Sequence, residues 1–355
     1  PLFSDSVYID RLSRIPAVME MPYNDIVRKF IDMYAGRLRN QVSFMLSACN
    51  FYMPIFEEAL DAYGLPLELK YLPIIESALN PSAVSRAGAS GLWQFMIGTG
   101  KIYGLESNSL IDERRDPIKA TWAAARYLKE MYDIYGDWNL VIAAYNCGPG
   151  TINKAIRRAG GETDYWKIYN LLPKETRGYV PAFIAANYVM TYYCDHNICP
   201  METNIPASTD TVQVTQNLHF EQIAELCNVP LDEVKSLNPQ YKKQIIPGTT
   251  KPCTLRLPQG AISAFIDKQD TIYAHRADEL FRNRKTVAVK EITPATRRQT
   301  SAIAGKGKLT YYKIKSGDTL SSIAEKLGVR VRDIQQWNGM SNTRISAGKQ
   351  LKIYK

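Results

Sequence analysis

The residues best suited to chemistry lie between Tyr71 and Thr99. Leu72, Pro73, Ile74 and Ile75 lead directly into Glu76, and a stretch rich in Ser, Ala and Gly (residues 82–91) separates it from Trp93, Gln94 and Phe95. The apolar lead-in keeps water from one flank of the carboxyl. Desolvation disfavours the charged form and raises the pKa, so such an acid can hold its proton near neutral pH and deliver it to a leaving oxygen. A helical glutamate that faces solvent or pairs with a base is the structural alternative. A two-carboxylate glycosidase needs a second acid across the scissile bond. After Glu76 no acid occurs until Glu106, so a second one would have to come from elsewhere in the fold.

The elements that must hold these residues are helical. Ile26, Phe30, Met33 and Tyr34 share one helical face, and Gln41 to Tyr63 repeats the pattern through Phe44, Met45, Phe51, Ile55 and Leu60. Gly64-Leu65-Pro66 stops that run. A helix from Glu68 carries the acid at residue 76, and Asn80-Pro81 ends it, because proline disfavours a helical residue before it. Residues 92–103 read as helix. Asp116-Pro117 is a helix start with Pro at the first position, and Ile118 to Tyr132 is amphipathic. Trp138 to Tyr145 is apolar and ends at Asn146-Cys147-Gly148-Pro149-Gly150. Thr151 to Arg158 and Pro181 to Tyr193 complete an all-helical domain, with no alternating strand pattern in residues 20–200.

Glu76-Ser77, Ser85, Gly88-Ala89-Ser90-Gly91-Leu92-Trp93-Gln94 and Met96 together resemble the signature of the lysozyme-like lytic transglycosylases, which cut peptidoglycan. Ala144-Tyr145-Asn146-Cys147-Gly148 and Glu175-Thr176-Arg177-Gly178-Tyr179-Val180 follow in the family's order. The resemblance spans roughly residues 20–200 and is similar to the membrane-bound lytic murein transglycosylase D type. It implies that Glu76 is the sole acid/base and that the nucleophile comes from within the sugar, so no cofactor is expected. It further implies that Ser85 contacts the substrate acetamido group, and Gln94 a neighbouring polar group. Tyr145 and Asn146 line the cleft with the Tyr145 hydroxyl near Glu76, Tyr179 closes the far side, and Met96 lines the cleft. Each has a structural alternative: Tyr and Asn beside Gly are ordinary turn chemistry, and Met at helical spacing is ordinary filler. Trp93 and Phe95 read as core. Cys147 reads as packing, since no neighbouring His could activate it. A hydrolytic muramidase on the same fold, and a wall-binding scaffold without catalysis, are the rival readings.

An internal repeat begins after residue 205. Phe220-Glu-Gln-Ile-Ala-Glu and Leu320-Ser-Ser-Ile-Ala-Glu stand one hundred residues apart, as do Asn238 and Asn338, and Gly248 and Gly348. Each copy reads strand, helix, helix, strand. The second copy resembles a full LysM module, a family that binds N-acetylglucosamine-containing glycans, with Gly317, Asp318 and Thr319 in the loop near the glycan. The first copy has Asn217-Leu218-His219 there, which leaves it either a weaker binder or a spacer. The expected architecture is a helical lysozyme-like domain with an N-terminal helical extension (1–205), a degenerate LysM-like module (208–258), a helix and basic linker (259–308) and a LysM module (309–355).

Bulk properties are those of an ordinary globular protein and say nothing against export. At 355 residues the chain can bury a sizeable core, and it has no apolar run long enough to span a membrane. It opens at Pro1 without a Met, which reads as a chain whose targeting segment has been removed. The expected location is the periplasm or cell envelope, with membrane or lipid attachment through a segment outside this sequence left open. Much of the net charge of +9 sits between Arg282 and Lys308, where eight bases face Glu291 alone. Such a stretch suits polyanions in general, or serves as a linker extended by its own charge. The expected partner is peptidoglycan, not nucleic acid. No two of the six Cys have CxxC spacing and only three His occur, so no metal site is expected. Cys194 with Cys199, and Cys227 with Cys253, could pair in an oxidising compartment or remain thiols.

Overall fold

The computed structural model describes residues 3–203, 205–282, 309–315, 318–338, 340 and 345–354. The expected linker 285–308 and Gly317 lie outside these residues. The chain divides into two units, Pro1–Ile292 and Thr293–Lys355.

Three helices precede the acid: α1 (Asp5–Ser13), α2 (Asp25–Ala35) and α3 (Arg39–Ala62). Asn24 starts α2 by accepting the Ile26 and Val27 amides, each at 3.0 Å, two of the donors a helix N-terminus leaves unpaired. The buried stripes are turned from those expected. α2 buries Val27, Ile31 and Tyr34, whereas Phe30 and Met33 are half-buried. α3 buries Val42, Met45, Tyr52, Phe56 and Leu60, and leaves Phe44 exposed. Apolar residues occupy two adjoining faces of each helix, so periodicity alone does not say which meets the core.

A 3₁₀ turn, Leu67–Tyr71, leads into α4 (Leu72–Ser77). The buried Glu68 carboxylate accepts the amides of Val18 at 2.7 Å and Met19 at 2.8 Å, so the N-terminal arm steadies the approach to α4. The helix stops earlier than Pro81 requires. Ala78 and Leu79 both take left-handed backbone, with φ of 51° and 59°, a conformation that costs a residue bearing a Cβ. Leu79 is buried and anchors this reversal.

Then come α5 (Ile97–Ile102), α6 (Pro117–Tyr135), α7 (Trp138–Cys147), α8 (Pro149–Arg158), α9 (Tyr165–Ile168), α10 (Lys174–Arg177) and α11 (Tyr179–Tyr192). Asp116 caps α6 as expected, accepting the Ile118 and Lys119 amides at 3.0 Å each. α5 is shorter than the expected helix, because Gln94 sits at φ 49° and breaks the run. The expectation that the last helix merely closes the domain is too modest: α11 is buried from Tyr179 through Met190 and packs against α2, α4 and α7. Among the described residues of this domain only isolated bridges occur, including Val84 with Ser90 and Ser90 with Phe95 in the loop after α4.

The first repeat comprises β1 (Thr209–Val214), β2 (Asn217–His219), α12 (Phe220–Cys227), α13 (Leu231–Leu237), β3 (Ile245–Pro247) and β4 (Cys253–Pro258). β1 pairs antiparallel with β4, Val212 opposite Leu255, and β2 with β3, Leu218 opposite Ile246. Helices α14 (Gln259–Asp267), α15 (Gln269–Ala274) and α16 (Ala277–Leu280) follow. Phe265 and Ile272 are buried in the module's core, which also takes in Leu110 and Ile111 of the helical domain.

In the second unit, β5 (Leu309–Lys313), α17 (Leu320–Leu327), α18 (Val331–Trp337) and β6 (Gln350–Tyr354) keep the expected order, with β5 antiparallel to β6. Ile314, Leu320, Ile323, Ile334, Leu351 and Ile353 form its core. The repeated asparagine has one job in both copies. Asn238 donates to the Val234 and Arg256 carbonyls at 2.9 and 2.8 Å, and Asn338 donates to the Ile334 and Lys352 carbonyls at 2.8 Å each. Each thereby pins the second helix to the last strand.

Candidate active site

Glu76 stands in the last turn of α4 and lines a cavity of about 410 Å³ with Ser85, Gln94, Tyr34, Gln41 and Met45. Three expected site residues thus meet in one space. Burial pushes the Glu76 carboxyl up from 4.5 to about 7; a hydrogen bond from Tyr179 pulls the other way, and the Glu175 charge adds to the rise. No other acid lines the cavity among the described residues. Glu175 is exposed on α10.

Both tyrosines lie near the acid, but only one of them bonds it. The Tyr179 hydroxyl donates to Glu76 Oε1. The Tyr145 hydroxyl donates instead to the Trp93 carbonyl at 2.6 Å. That carbonyl lies in the turn before Gln94, off any helix ladder, and a buried carbonyl needs a donor. Tyr145 remains near the acid: burial first, and then the Glu76 charge, hold its own proton tightly. Asn146 Oδ1 accepts the Thr176 hydroxyl at 2.9 Å, which ties α7 to α10.

Ser85 Oγ accepts the Ala89 amide at 3.0 Å, so it shapes the loop while lining the cavity. The Gln94 amide nitrogen donates to the Gly91 and Ala83 carbonyls at 2.8 and 3.2 Å, which fixes the side chain against the loop. Met96 precedes α5, is 44 % exposed, and is not among the residues lining the Glu76 cavity. Trp93 and Phe95 are buried, and Trp93 Nε1 donates to Thr121 Oγ1 at 2.9 Å, as core residues would. In the second module, Asp318 Oδ2 accepts the Lys315 amide at 2.8 Å and the Tyr312 hydroxyl at 3.0 Å, and Thr319 Oγ1 accepts the Ser322 amide at 3.1 Å. Both side chains fasten their loop. All six cysteines are free thiols, Cys194 and Cys199 exposed, Cys227 and Cys253 buried. Burial raises the Cys147 thiol, in keeping with packing.

Sequence reasoning missed Gln41 and did not assign Tyr34 to the cavity. The available signal was a polar residue four positions before the buried Met45, hence on the same face of α3.

Three family models match in the order in which these parts occur: the Transglycosylase SLT domain over residues 53–168, the "Lytic transglycosylase MltD, LysM-like domain" over 208–274, and the LysM domain over 312–353. Over 341 residues the chain is 30% identical to the membrane-bound lytic murein transglycosylase D of Escherichia coli strain K12, covering 94% of this chain and 70% of that protein. The chain belongs to the lytic murein transglycosylase D family. It is a lytic transglycosylase with a helical lysozyme-like domain followed by small LysM modules. The soluble lytic murein transglycosylase of Escherichia coli strain K12 is 33% identical over 124 residues, 33% of this chain and 19% of that protein. Among solved structures, the 70 kDa soluble lytic transglycosylase of Escherichia coli aligns with 40% of this chain and 24% of its own at 29% identity, with a TM-score of 0.35. In this lytic transglycosylase the matched LysM-like domain runs on to residue 274, beyond the boundary expected at 258, and the burial of Phe265 and Ile272 with that module agrees.

Proposed function

We propose that the enzyme cleaves the β-1,4 bond between N-acetylmuramic acid and N-acetylglucosamine in peptidoglycan and leaves 1,6-anhydro-muramic acid ends, with Glu76 as the one acid and base. The observation that carries this reading is a single carboxyl in the cavity among the described residues, pushed up to about 7. An acid so tuned is protonated over much of the neutral range and can act as general acid. Its proton goes to the glycosidic oxygen as the C1–O bond breaks. The substrate's N-acetyl group supports the positive charge at C1, and Ser85 is the residue assigned to that group. The Glu76 carboxylate then takes the proton of the muramyl 6-hydroxyl, whose oxygen bonds to C1. Glu76 ends protonated and no water is consumed. An attacking group already tethered to the electrophile gains the advantage of an intramolecular reaction, so no second carboxylate is needed to activate water. Gln94, Tyr145, Asn146 and Met96 are the further residues assigned to the sugar cleft, and Tyr179 orients the acid.

The LysM module is assigned to holding the enzyme on glycan strands through the loop containing Asp318 and Thr319. We assign the protein to the periplasm, the side of the cell envelope on which a murein substrate would be met. Among the described residues no helix is long and apolar enough to cross a membrane. Mass spectrometry of digested wall tests the reaction, because anhydro ends are lighter than reducing ends by one water. Anhydro products are expected. Reducing ends alone would make the enzyme a hydrolase.

A further inference from the structure

Residues 106–116, between α5 and α6, touch the active-site loop on one side and the first LysM-like module on the other. Arg114, 5 % exposed, donates from Nη1 to the carbonyls of Gly88 at 2.8 Å and Phe95 at 2.9 Å. These carbonyls bracket most of the loop between Ser85 and Gln94. Its Nε and Nη2 reach the two oxygens of buried Asp112 at 2.9 and 2.8 Å, a two-point geometry that fixes the guanidinium plane. Arg115 Nε donates to Ser90 Oγ at 3.0 Å. Every loop contact of this segment falls on backbone or on a buried hydroxyl, so it sets loop shape and does not compete for substrate.

The same segment is paired with the module. The Asp112 amide donates to the Gln240 carbonyl at 2.8 Å, and the Lys242 amide donates to the Leu110 carbonyl at 2.6 Å. Lys242 Nζ donates to the Asn108 carbonyl at 2.9 Å. Lys251 forms ion pairs with Glu106 and with Glu113, the latter at 3.5 Å. Leu110 and Ile111 are buried in the module's own core. These features belong to the first copy and not to the repeat. At the positions of Gln240, Tyr241 and Lys242 the second copy has Met340, Ser341 and Asn342. Lys251 stands in a connection that is longer here, since the pinning asparagine and its strand partner are 18 residues apart in the first copy and 14 in the second.

We propose that the first LysM-like module is a brace for the active-site loop, and that Arg114 is the positioning residue through which its hold reaches Ser85 and Gln94. A loop of small residues has many conformations to lose on ordering. Two charged hydrogen bonds near its ends, fixed from behind by a folded module, restrict it before the sugar arrives. The inference takes from the proposed function only that this loop serves catalysis.

The test uses the full chain with Arg114→Lys, which keeps the charge but cannot make all four bonds, and the double variant Lys242→Met/Lys251→Ala, which loosens the module. Hydrogen exchange of the peptide covering residues 85–96 is read beside kcat and KM on short soluble peptidoglycan fragments. Both variants are expected to speed loop exchange by about tenfold, with α11 unchanged, and to lower kcat more than KM rises. Unchanged loop exchange in the double variant would overturn the brace, and so would faster exchange with unaltered kcat. Should Arg114→Lys fail to fold, the double variant decides alone. The exchange measurement needs no particular product, so reducing ends would sink the proposed reaction and leave this result standing.

Discussion

Tyr179, at the start of α11, donates its hydroxyl to Glu76, at the end of α4, across 103 residues of chain. The bond favours the charged carboxylate and opposes the burial that favours the neutral acid. The proton affinity of Glu76 is therefore a balance that single atoms can tip.

Glu76→Gln keeps the shape and removes the proton. Wall-digestion rates should fall by about 10²–10⁴-fold or more, the range that general acid catalysis supplies, with the circular dichroism spectrum unchanged. Stability should respond as well. The folded acid is pushed up to about 7 from 4.5, so between those values the folded state binds more protons than the unfolded state. Stability therefore declines as pH rises through that window. The Gln variant lacks this decline, and its melting temperature should gain on wild type from pH 4.5 to pH 7 and hold its lead above. Parallel melting curves across that range would contradict the raised pKa.

Tyr179→Phe and Glu175→Gln should move the pH–rate profile in opposite directions. Losing the Tyr179 hydroxyl removes a group that lowers the Glu76 pKa, so the alkaline limb of kcat/KM should shift upward. Losing the Glu175 charge removes one that raises it, so the limb should shift downward with activity largely kept. Abolished activity in Glu175→Gln would instead mark Glu175 as a second catalytic carboxylate.

Tyr145→Phe should act through the loop and not through the acid. Its hydroxyl serves the Trp93 carbonyl, and stranding a buried acceptor costs about 1–3 kcal/mol. The melting temperature should drop while the alkaline limb stays in place. A shifted limb with unchanged stability would return Tyr145 to the role expected from its motif.

Gly91→Ala should be far worse than Gly88→Ala. Both glycines have φ of 89°, but a Cβ on Gly91 would lie 1.8 Å from the Arg114 carbonyl oxygen, whereas Gly88 has nothing within 4 Å. Gly88→Ala carries only the backbone cost, roughly 1–2 kcal/mol. Gly91→Ala must also push Arg114 off the loop, so thermal melts should separate the two clearly.

The helical class, the order of elements and the convergence of Glu76, Ser85 and Gln94 were legible in the sequence, because motif residues near in sequence share one loop. That Tyr179 and not Tyr145 makes the hydrogen bond to Glu76 was not. It depends on which hydroxyl meets an orphaned backbone carbonyl at Trp93, and no side-chain pattern announces a carbonyl's need. Arg114 and Asp112 were invisible for a related reason: Asp112-Glu113-Arg114-Arg115 is a charged stretch with no apolar pattern until two loop carbonyls and a foreign module close over it. The helices after residue 258 were legible as helices but not as part of the module, since their apolar stripe does not name the core it enters.

The burial of α11 has a consequence for when the site can take shape. Residues 1–170 contain the acid and its loop, yet the partner that orients Glu76 arrives with Tyr179, and the packing that dries α4 arrives with the helix behind it. A chain still unfolded, or cut short before that helix, carries an ordinary solvated glutamate. The raised proton affinity of Glu76, on which the proposed acid role rests, is thus tied to completion of the domain.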